Sequence, residues 1–439
     1  MIKVLKIILT VLITSFYFFP VDFTFLPTNT KNLLAAFGLI IAVFELIRIK
    51  DFSVPKQLII LLLLSCMVSI ISLVSITYNQ TPDTTYATYI RSAIIWLSGA
   101  FAVVYIIRMV HGRIDVPLVA HYLIGACLFQ CASSMLIEFI PSVQSFVDRY
   151  VQQGQDMLKE MGRLYGIGAA LDVAGSRFAV VLVAIAFLLV SSPKQTSIGW
   201  TIFYTLSFAI ITVIGNMIAR TTIVGTILGI VWMLMGPFII LKKKTADTST
   251  GRSVAIWGTL AILIGISILL YNTFDEVKEL FRFGFEGFFS WVETGEWGTS
   301  STDKLATMVV WPEDLRTWII GDGYFENSRN DPNYLGSSTD RGFYMGTDIG
   351  YLRFIFYFGI PGLIAIMAVV CYSAFVCASC FKDYAWLFGI ALLVGLVVWG
   401  KVSTDLFLFF CMFLCAAYLQ EAPEGDKLPE EATETAEPA

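Results

Sequence analysis

The sequence predicts an all-α polytopic membrane protein, and three observations carry that expectation. Hydrophobic residues fill 57% of the 439 positions, charged residues only 14%, and the mean hydropathy is +0.75. So few charges cannot clothe a soluble surface. Apolar runs recur along the chain at about the 20-residue length that a bilayer core of roughly 30 Å requires. Cations also alternate from one connector to the next, as the positive-inside rule expects.

Twelve runs are expected as helices: 4–20, 33–48, 57–77, 91–110, 117–140, 172–192, 199–217, 221–241, 254–271, 349–380, 384–400 and 403–419. The first follows Lys3 and Lys6 but lacks a small-x-small cleavage site, so it reads as an uncleaved helix with a cytoplasmic N-terminus. The 349–380 run exceeds one span. Gly359-Ile360-Pro361-Gly362 divides it into a short lead-in helix and a full crossing.

Arg48/Lys50/Lys56, Arg108/Arg113, Lys194, Lys242-Lys243-Lys244 with Arg252, and Lys382 fall on alternate connectors. The opposite connectors are poor in cations: 21–32 holds Lys31 alone and 78–90 none. Both termini then face the cytoplasm and the long polar interruption 272–348 faces outward. The expected organisation is five helices over 1–140, an amphipathic segment over 141–171, four helices over 172–271, the 272–348 loop, three helices over 349–420, and a tail over 421–439. In 141–171, Val143, Phe146, Val147, Tyr150, Val151, Met157, Leu158, Met161 and Leu164 recur at helical spacing, predicting a helix lying on the outer membrane surface.

Charge and composition exclude several functions. The last 19 residues hold seven Asp/Glu against Lys427 alone, which leaves the remainder at +1 and predicts a disordered acidic tail. No basic patch exists, so nucleic acid is not an expected partner. The two histidines, His111 and His121, rule out a His-rich metal site. The eight cysteines lie in or beside apolar runs and read as buried small hydrophobes.

The 272–348 interruption carries fourteen Asp/Glu and six Lys/Arg among many aromatics. Structureless loops of such length are uncommon and usually functional. Phe281 to Trp291 reads as a second surface-lying segment, anchored by aromatics or in contact with substrate. On the same side stand Arg163, Arg177 and Arg220, joined by Arg316, Arg329 and Arg341 from the loop. Charges beside membrane helices are costly and tend to face a cavity or partner. Arg220 is flanked by apolar sequence on both sides; it either snorkels to headgroups or serves a site. Arginines converging from separate helices suit a phosphate-bearing ligand, because the guanidinium fork binds phosphate oxygens at two points and stays charged.

Four segments carry a resemblance. Gly162-Arg163-Leu164-Tyr165-Gly166, leading into Ala169-Ala170-Leu171-Asp172, resembles the R-x-x-G segment of the O-antigen ligase/polymerase superfamily. Ala219-Arg220-Thr221 is similar to its helix-opening S-R segment. Ser301-Thr302-Asp303-Lys304-Leu305, with Met308, Pro312 and Ile320-Gly321-Asp322-Gly323-Tyr324, resembles the loop of Wzy-type polymerases. Asp348-x-Gly350-Tyr351-Leu352 with Gly359-Ile360-x-Gly362 resembles the stretch that follows. Each motif is weak alone; order, spacing and sidedness together are more specific.

The resemblance implies an inverting, metal-independent glycosyltransferase of the GT-C kind in the bacterial inner membrane, without a cofactor. It would join undecaprenyl-pyrophosphate-linked donor and acceptor glycans into O-antigen or capsular polysaccharide on the periplasmic side. A chain-length-regulating co-polymerase is a candidate partner. Arg163 and Arg220 match the family arginines that hold the pyrophosphate and stabilise the leaving group. The ligase branch carries a loop histidine that this chain lacks; Asp348 stands near its place. Asp348 then serves as the acceptor's base, or else as an ordinary helix N-cap. Arg177, Arg341 and Arg353 are candidates for phosphate or sugar contact, with pairing to acidic loop residues the alternative for Arg341 and Arg353. Tyr324 and Tyr351 are further candidates on the substrate side. Asp322, between two glycines, reads equally as a turn residue. Rival functions are ligase-type transfer to another acceptor and transport of a lipid-linked sugar. The chain shows no internal repeat, and its polar residues cluster on one side rather than midway, which disfavours transport.

Overall fold

The computed structural model describes residues 2–48, 55–160, 162–191, 197–241, 250–326 and 343–421. The acidic tail from 422, Arg329, Arg341 and Met161 lie outside the described residues. The chain is mostly helical, and no strand occurs among the described residues; Phe23–Val151 and Glu326–Phe343 are isolated bridges.

Each apolar run contains a helix. The N-terminal block folds as α1 (Ile2–Phe18), α2 (Thr30–Arg48), α3 (Lys56–Asn79), α4 (Tyr89–His111) and α5 (Val116–Phe139). Two short helices follow, α6 (Pro141–Tyr150) and α7 (Gln155–Glu160). Next come α8 (Leu171–Ser191), α9 (Ile198–Ile218), α10 (Thr222–Leu241) and α11 (Thr250–Thr273). The polar interruption holds α12 (Asp275–Gly284), α13 (Glu286–Thr294), α14 (Ser300–Thr307) and α15 (Leu315–Ile319). The last elements are α16 (Gly350–Cys380), α17 (Ala385–Val398) and α18 (Phe407–Glu421).

Among the described residues, six helices are long and apolar enough to cross a membrane: α3, α4, α5, α8, α9 and α16. α17 and α18 have 14 and 15 residues. At about 1.5 Å per residue they fall short of a roughly 30 Å hydrocarbon core. Their connector, 399–406, turns inward instead of continuing the helices, with Trp399, Thr404 and Leu406 buried.

α8 is the axis of the bundle. Every residue from Phe178 to Leu189 is buried, as expected of a helix apolar on all faces. It packs against α5, α9, α10 and α17. Small residues set the closest approach: a Cβ on Gly225 of α10 would lie 2.2 Å from Ala179 Cα, so only glycine fits there.

The 141–171 segment is two helices rather than one. The chain breaks at Val151–Gly154, where the backbone pairs with the α1–α2 connector (Thr24 N to Tyr150 O, 2.9 Å; Gln152 N to Asp22 O, 2.8 Å). Val147, Val151 and Leu158 pack with Val21, Ile137 and Tyr165 in a small core of their own. That part of the apolar face covers protein, while Phe146 is exposed. Among the cysteines, Cys127, Cys131, Cys377, Cys411 and Cys415 are buried, while Cys380 is exposed.

α16 is interrupted at Phe358 and Gly359, the latter at φ 70° and ψ −174°. A helix break strands carbonyl oxygens that need new donors. The polar loop supplies them. Asp322 N donates to Phe356 O (2.6 Å) and Gly323 N to Tyr357 O (3.1 Å), while Ser75 Oγ of α3 adds a second bond to Tyr357 O (2.7 Å). Asn79 Nδ2 and Thr81 Oγ1 donate to Gly321 O and Gly323 O, and Asp83 accepts from Phe325 N. Pro361 falls in the first turn after the break, where its missing N–H costs nothing. Gly362 leaves room for the Phe358 ring, which a Cβ there would approach to 1.8 Å. The Gly-Ile-Pro-Gly run thus seats the loop on the bundle.

Candidate functional site

Arg163 lies in the irregular segment between α7 and α8. Two glutamines pin that segment. Gln130 of α5 donates to Ile167 O and accepts from Ile167 N (2.8 and 2.9 Å), and Gln153 does the same for Gly166 O and Gly168 N (2.9 Å each). Gly168, at φ 81°, passes so close to Phe19 and Pro20 that a side chain would collide with their carbonyls. Leu171, the first residue of α8, takes φ 54°, a costly conformation for a leucine, with Asp172 next in the first turn.

Arg220 occupies the sharp turn joining α9 to α10. Its guanidinium stacks on the Phe283 ring at 4.2 Å, and Arg163 approaches the same ring at 5.4 Å. Arg220 Nε donates to Phe283 O (3.0 Å), and Nη1 reaches Ser300 Oγ and Ser301 Oγ (3.2 Å each). Nη1 also pairs with Glu286, the first residue of α13. Arg163 Nε is buried without a hydrogen-bond partner. Burial lowers the Arg220 pKa, Glu286 opposes that, and the nearby positive Arg163 lowers it further. Two guanidinium groups sharing one ring repel each other, which favours an anion beside them.

Beside this pair, Asp172 accepts from the Thr221 hydroxyl and pairs with Lys401 Nζ at 2.8 Å; Lys401 also reaches Thr221 Oγ1 at 3.3 Å. The start of α8, the α9–α10 turn and the α17–α18 connector converge on one carboxylate.

Asp348 stands at the entrance to α16 and does not cap it. The N-cap position is Ile349, whose amide bonds Thr347 Oγ1 (3.3 Å), and no side chain caps the helix. Asp348 Oδ1 is buried without a hydrogen-bond partner, 3.6 Å from Arg353 Nη1. Burial raises its pKa to about 6 against the pull of Arg353; Asp172 adds to the rise, and Lys401 and Lys304 oppose it.

The other candidates have different surroundings. Arg353, 5% exposed, lies between the Phe325 and Phe343 rings (3.6 and 4.0 Å) and donates to Phe325 O and Ser403 Oγ. It clamps the loop and the α17–α18 connector to α16. Asp322 accepts from Arg316 (3.1 Å), Thr317 Oγ1 (2.7 Å) and Tyr344 (3.2 Å), so its carboxylate organises the Gly321–Gly323 turn. Tyr324 is buried and stacked on Tyr344 at 5.3 Å, and Tyr351 donates to Leu396 O (2.7 Å). Arg177 belongs to a separate group deeper along α8. It faces the Phe19 and Trp96 rings at 5.8 and 5.9 Å, its Nε has no partner, and it interacts with Asp405.

Sequence reasoning named Phe283 and Glu286 only within the 281–291 segment and Asp172 only at the end of the Arg163 motif, and did not name Ser300 or Lys401 for the site. Lys401 alone carried a usable signal, a single cation between two apolar runs on the cation-poor side. Comparison with family models, characterised proteins and solved structures finds no match to this chain.

Proposed function

We propose that the chain is a twelve-helix, GT-C-like glycosyltransferase of the bacterial inner membrane. In this reading it polymerises undecaprenyl-pyrophosphate-linked oligosaccharide units into a surface polysaccharide on the periplasmic face, with both termini cytoplasmic. The observation that carries the reading is the meeting of Arg163 and Arg220 on the Phe283 ring, within a polar group that also holds Asp348. Two fixed cations suit a diphosphate leaving group.

In the proposed reaction an acceptor hydroxyl attacks the donor's anomeric carbon. The bond from that carbon to the pyrophosphate oxygen breaks, and configuration inverts. Asp348 takes the hydroxyl proton, which an unpartnered carboxylate oxygen with a pKa of about 6 can do near neutral pH. Arg163 and Arg220 stabilise the negative charge left on the pyrophosphate.

The test is glycan chain length in a deletion strain beside the complemented strain. Surface glycan reduced to a single repeat unit and restored to a ladder by the gene supports the polymerase. Complete loss of surface glycan, with polymer retained on the lipid carrier, replaces this reading with ligase-type transfer.

A further inference from the structure

Arg220 is held as a binding site would hold it, and an anion already fills the place. Its Nε is fixed on Phe283 O and its plane on the Phe283 ring, which leaves Nη1 facing Ser300, Ser301 and Glu286. Glu286 gathers the Ser300 amide, the Ser300 hydroxyl and Arg220, while the Ser301 hydroxyl bonds Arg220 and Thr299. Its Oε1 accepts from Ser300 N (3.1 Å) and its Oε2 from Ser300 Oγ (3.1 Å) and Arg220. Thr299, the N-cap of α14, uses its own hydroxyl on Thr302 N, so the Ser300 amide goes to Glu286 instead. A guanidinium, two hydroxyls and an amide at a helix N-terminus are the donors a phosphate group takes.

The two halves of the ion pair differ in exposure. The Arg220 side chain is 13% exposed and fixed by backbone and ring, whereas the Glu286 side chain is 34% exposed and sits at the start of a short helix. Exchanging one anion for another leaves Arg220 paired throughout, so no unpaired buried charge arises on the way.

We infer that Arg220, Ser300, Ser301 and the first turn of α14 form a phosphate site whose resting occupant is Glu286, displaced when a phosphate-bearing ligand binds. The inference rests on the proposed function for the identity of that ligand. Its consequence is that ligand binding frees α13 from α14 and Arg220, coupling occupancy to the position of the 285–294 segment. The resident carboxylate also lowers apparent affinity, since only the Glu286-free fraction accepts ligand.

The test uses full-length protein in lipid nanodiscs, titrated calorimetrically with inorganic pyrophosphate and, separately, with farnesyl pyrophosphate. Glu286→Gln should tighten pyrophosphate binding by about fivefold or more, and Arg220→Ala should abolish it. Equal or weaker affinity for both ligands in Glu286→Gln overturns the inference. Tightening for both ligands assigns the site to the pyrophosphate group itself, and tightening for the farnesyl ligand alone assigns it to a lipid-linked phosphate. Tightening for the inorganic ligand alone assigns it to free phosphate. If Glu286→Gln does not fold, hydrogen exchange of the wild type decides. Saturating pyrophosphate should accelerate exchange across 285–294, and unchanged exchange overturns the inference. Glycan ladders of the same variants separate the two ideas. A ladder that survives Arg220→Ala takes Arg220 out of the polymerase chemistry, whereas a lost ladder beside an unchanged Glu286→Gln affinity removes only the resident-anion exchange.

Discussion

Asp172 and Lys401, 229 positions apart in the chain, meet with 2.8 Å between carboxylate and ammonium. The pair ties the start of α8 to the α17–α18 connector, and the Thr221 hydroxyl adds the turn that carries Arg220. Both side chains are largely covered, at 16% and 26% exposed. Removing one partner leaves the other charge poorly compensated, which costs about 3 kcal/mol or somewhat less in this partly exposed setting. Lys401→Met and Asp172→Asn should each lower the detergent-solubilised melting temperature. The double variant should lose less than the sum of the two. Additive losses in a double-mutant cycle would show that the pair is not coupled.

Arg163→Ala and Arg220→Ala should each remove long-chain glycan while membrane insertion persists, with at least a hundredfold loss of transfer. Arg220→Lys should fail too, because an ammonium cannot stack on Phe283 while donating to Phe283 O and both serines. A full ladder from any of the three would take that residue out of the chemistry.

Asp348 gives a pH signature. Its folded pKa of about 6 lies above the ordinary value near 3.9, so the fold favours the neutral carboxyl. The ionised form therefore costs stability. That cost is absent below about pH 4, grows between pH 4 and 6, and is constant above. Asp348→Asn should gain stability relative to wild type as pH rises from 4 to 7, by up to about 3 kcal/mol. Transfer by the wild type should fall about tenfold per pH unit below 6, and the residual transfer of Asp348→Asn should lose that acid limb. A pH-independent wild-type rate between 5 and 7 would exclude Asp348 as the base.

Gly359→Ala should be poorly tolerated. At φ 70° a side chain is strained, and its Cβ would come within 2.5 Å of Ile319 O. A loss of several kcal/mol is expected, read as low yield of monodisperse protein. Normal yield would mean that the break in α16 can relax.

How much of this was legible depends on the range of the forces. The helices were visible in the runs themselves, because burial of apolar side chains is written locally; even the division of α16 at Gly359-Ile360-Pro361-Gly362 could be read. Arg163 and Arg220 stood out as charges among apolar neighbours. Their shared platform, Phe283, did not, because nothing local distinguishes one phenylalanine from the others near it. The single amphipathic helix expected over 141–171 proved to be two, because the backbone at Tyr150–Gln152 pairs with residues 22–24 far away in sequence. Asp348 at the head of a helix read equally as a base or a cap; the cap geometry went to Ile349, and Asp348 Oδ1 faces Arg353 at 3.6 Å without a hydrogen bond.

The broken α16 also constrains how the protein is made. Pro361 has no N–H to offer Tyr357 O, which relies on Gly323 and Ser75, and the Asp322 amide reaches the neighbouring Phe356 O. Each such carbonyl left bare in an apolar setting costs about 1–3 kcal/mol. The loop is synthesised before α16, so it must wait for the helix that receives it. Completion of the C-terminal third and docking of the loop are then one assembly step. A nascent chain halted before residue 356 would hold a loop with nowhere to dock, a state that quality-control proteases can recognise.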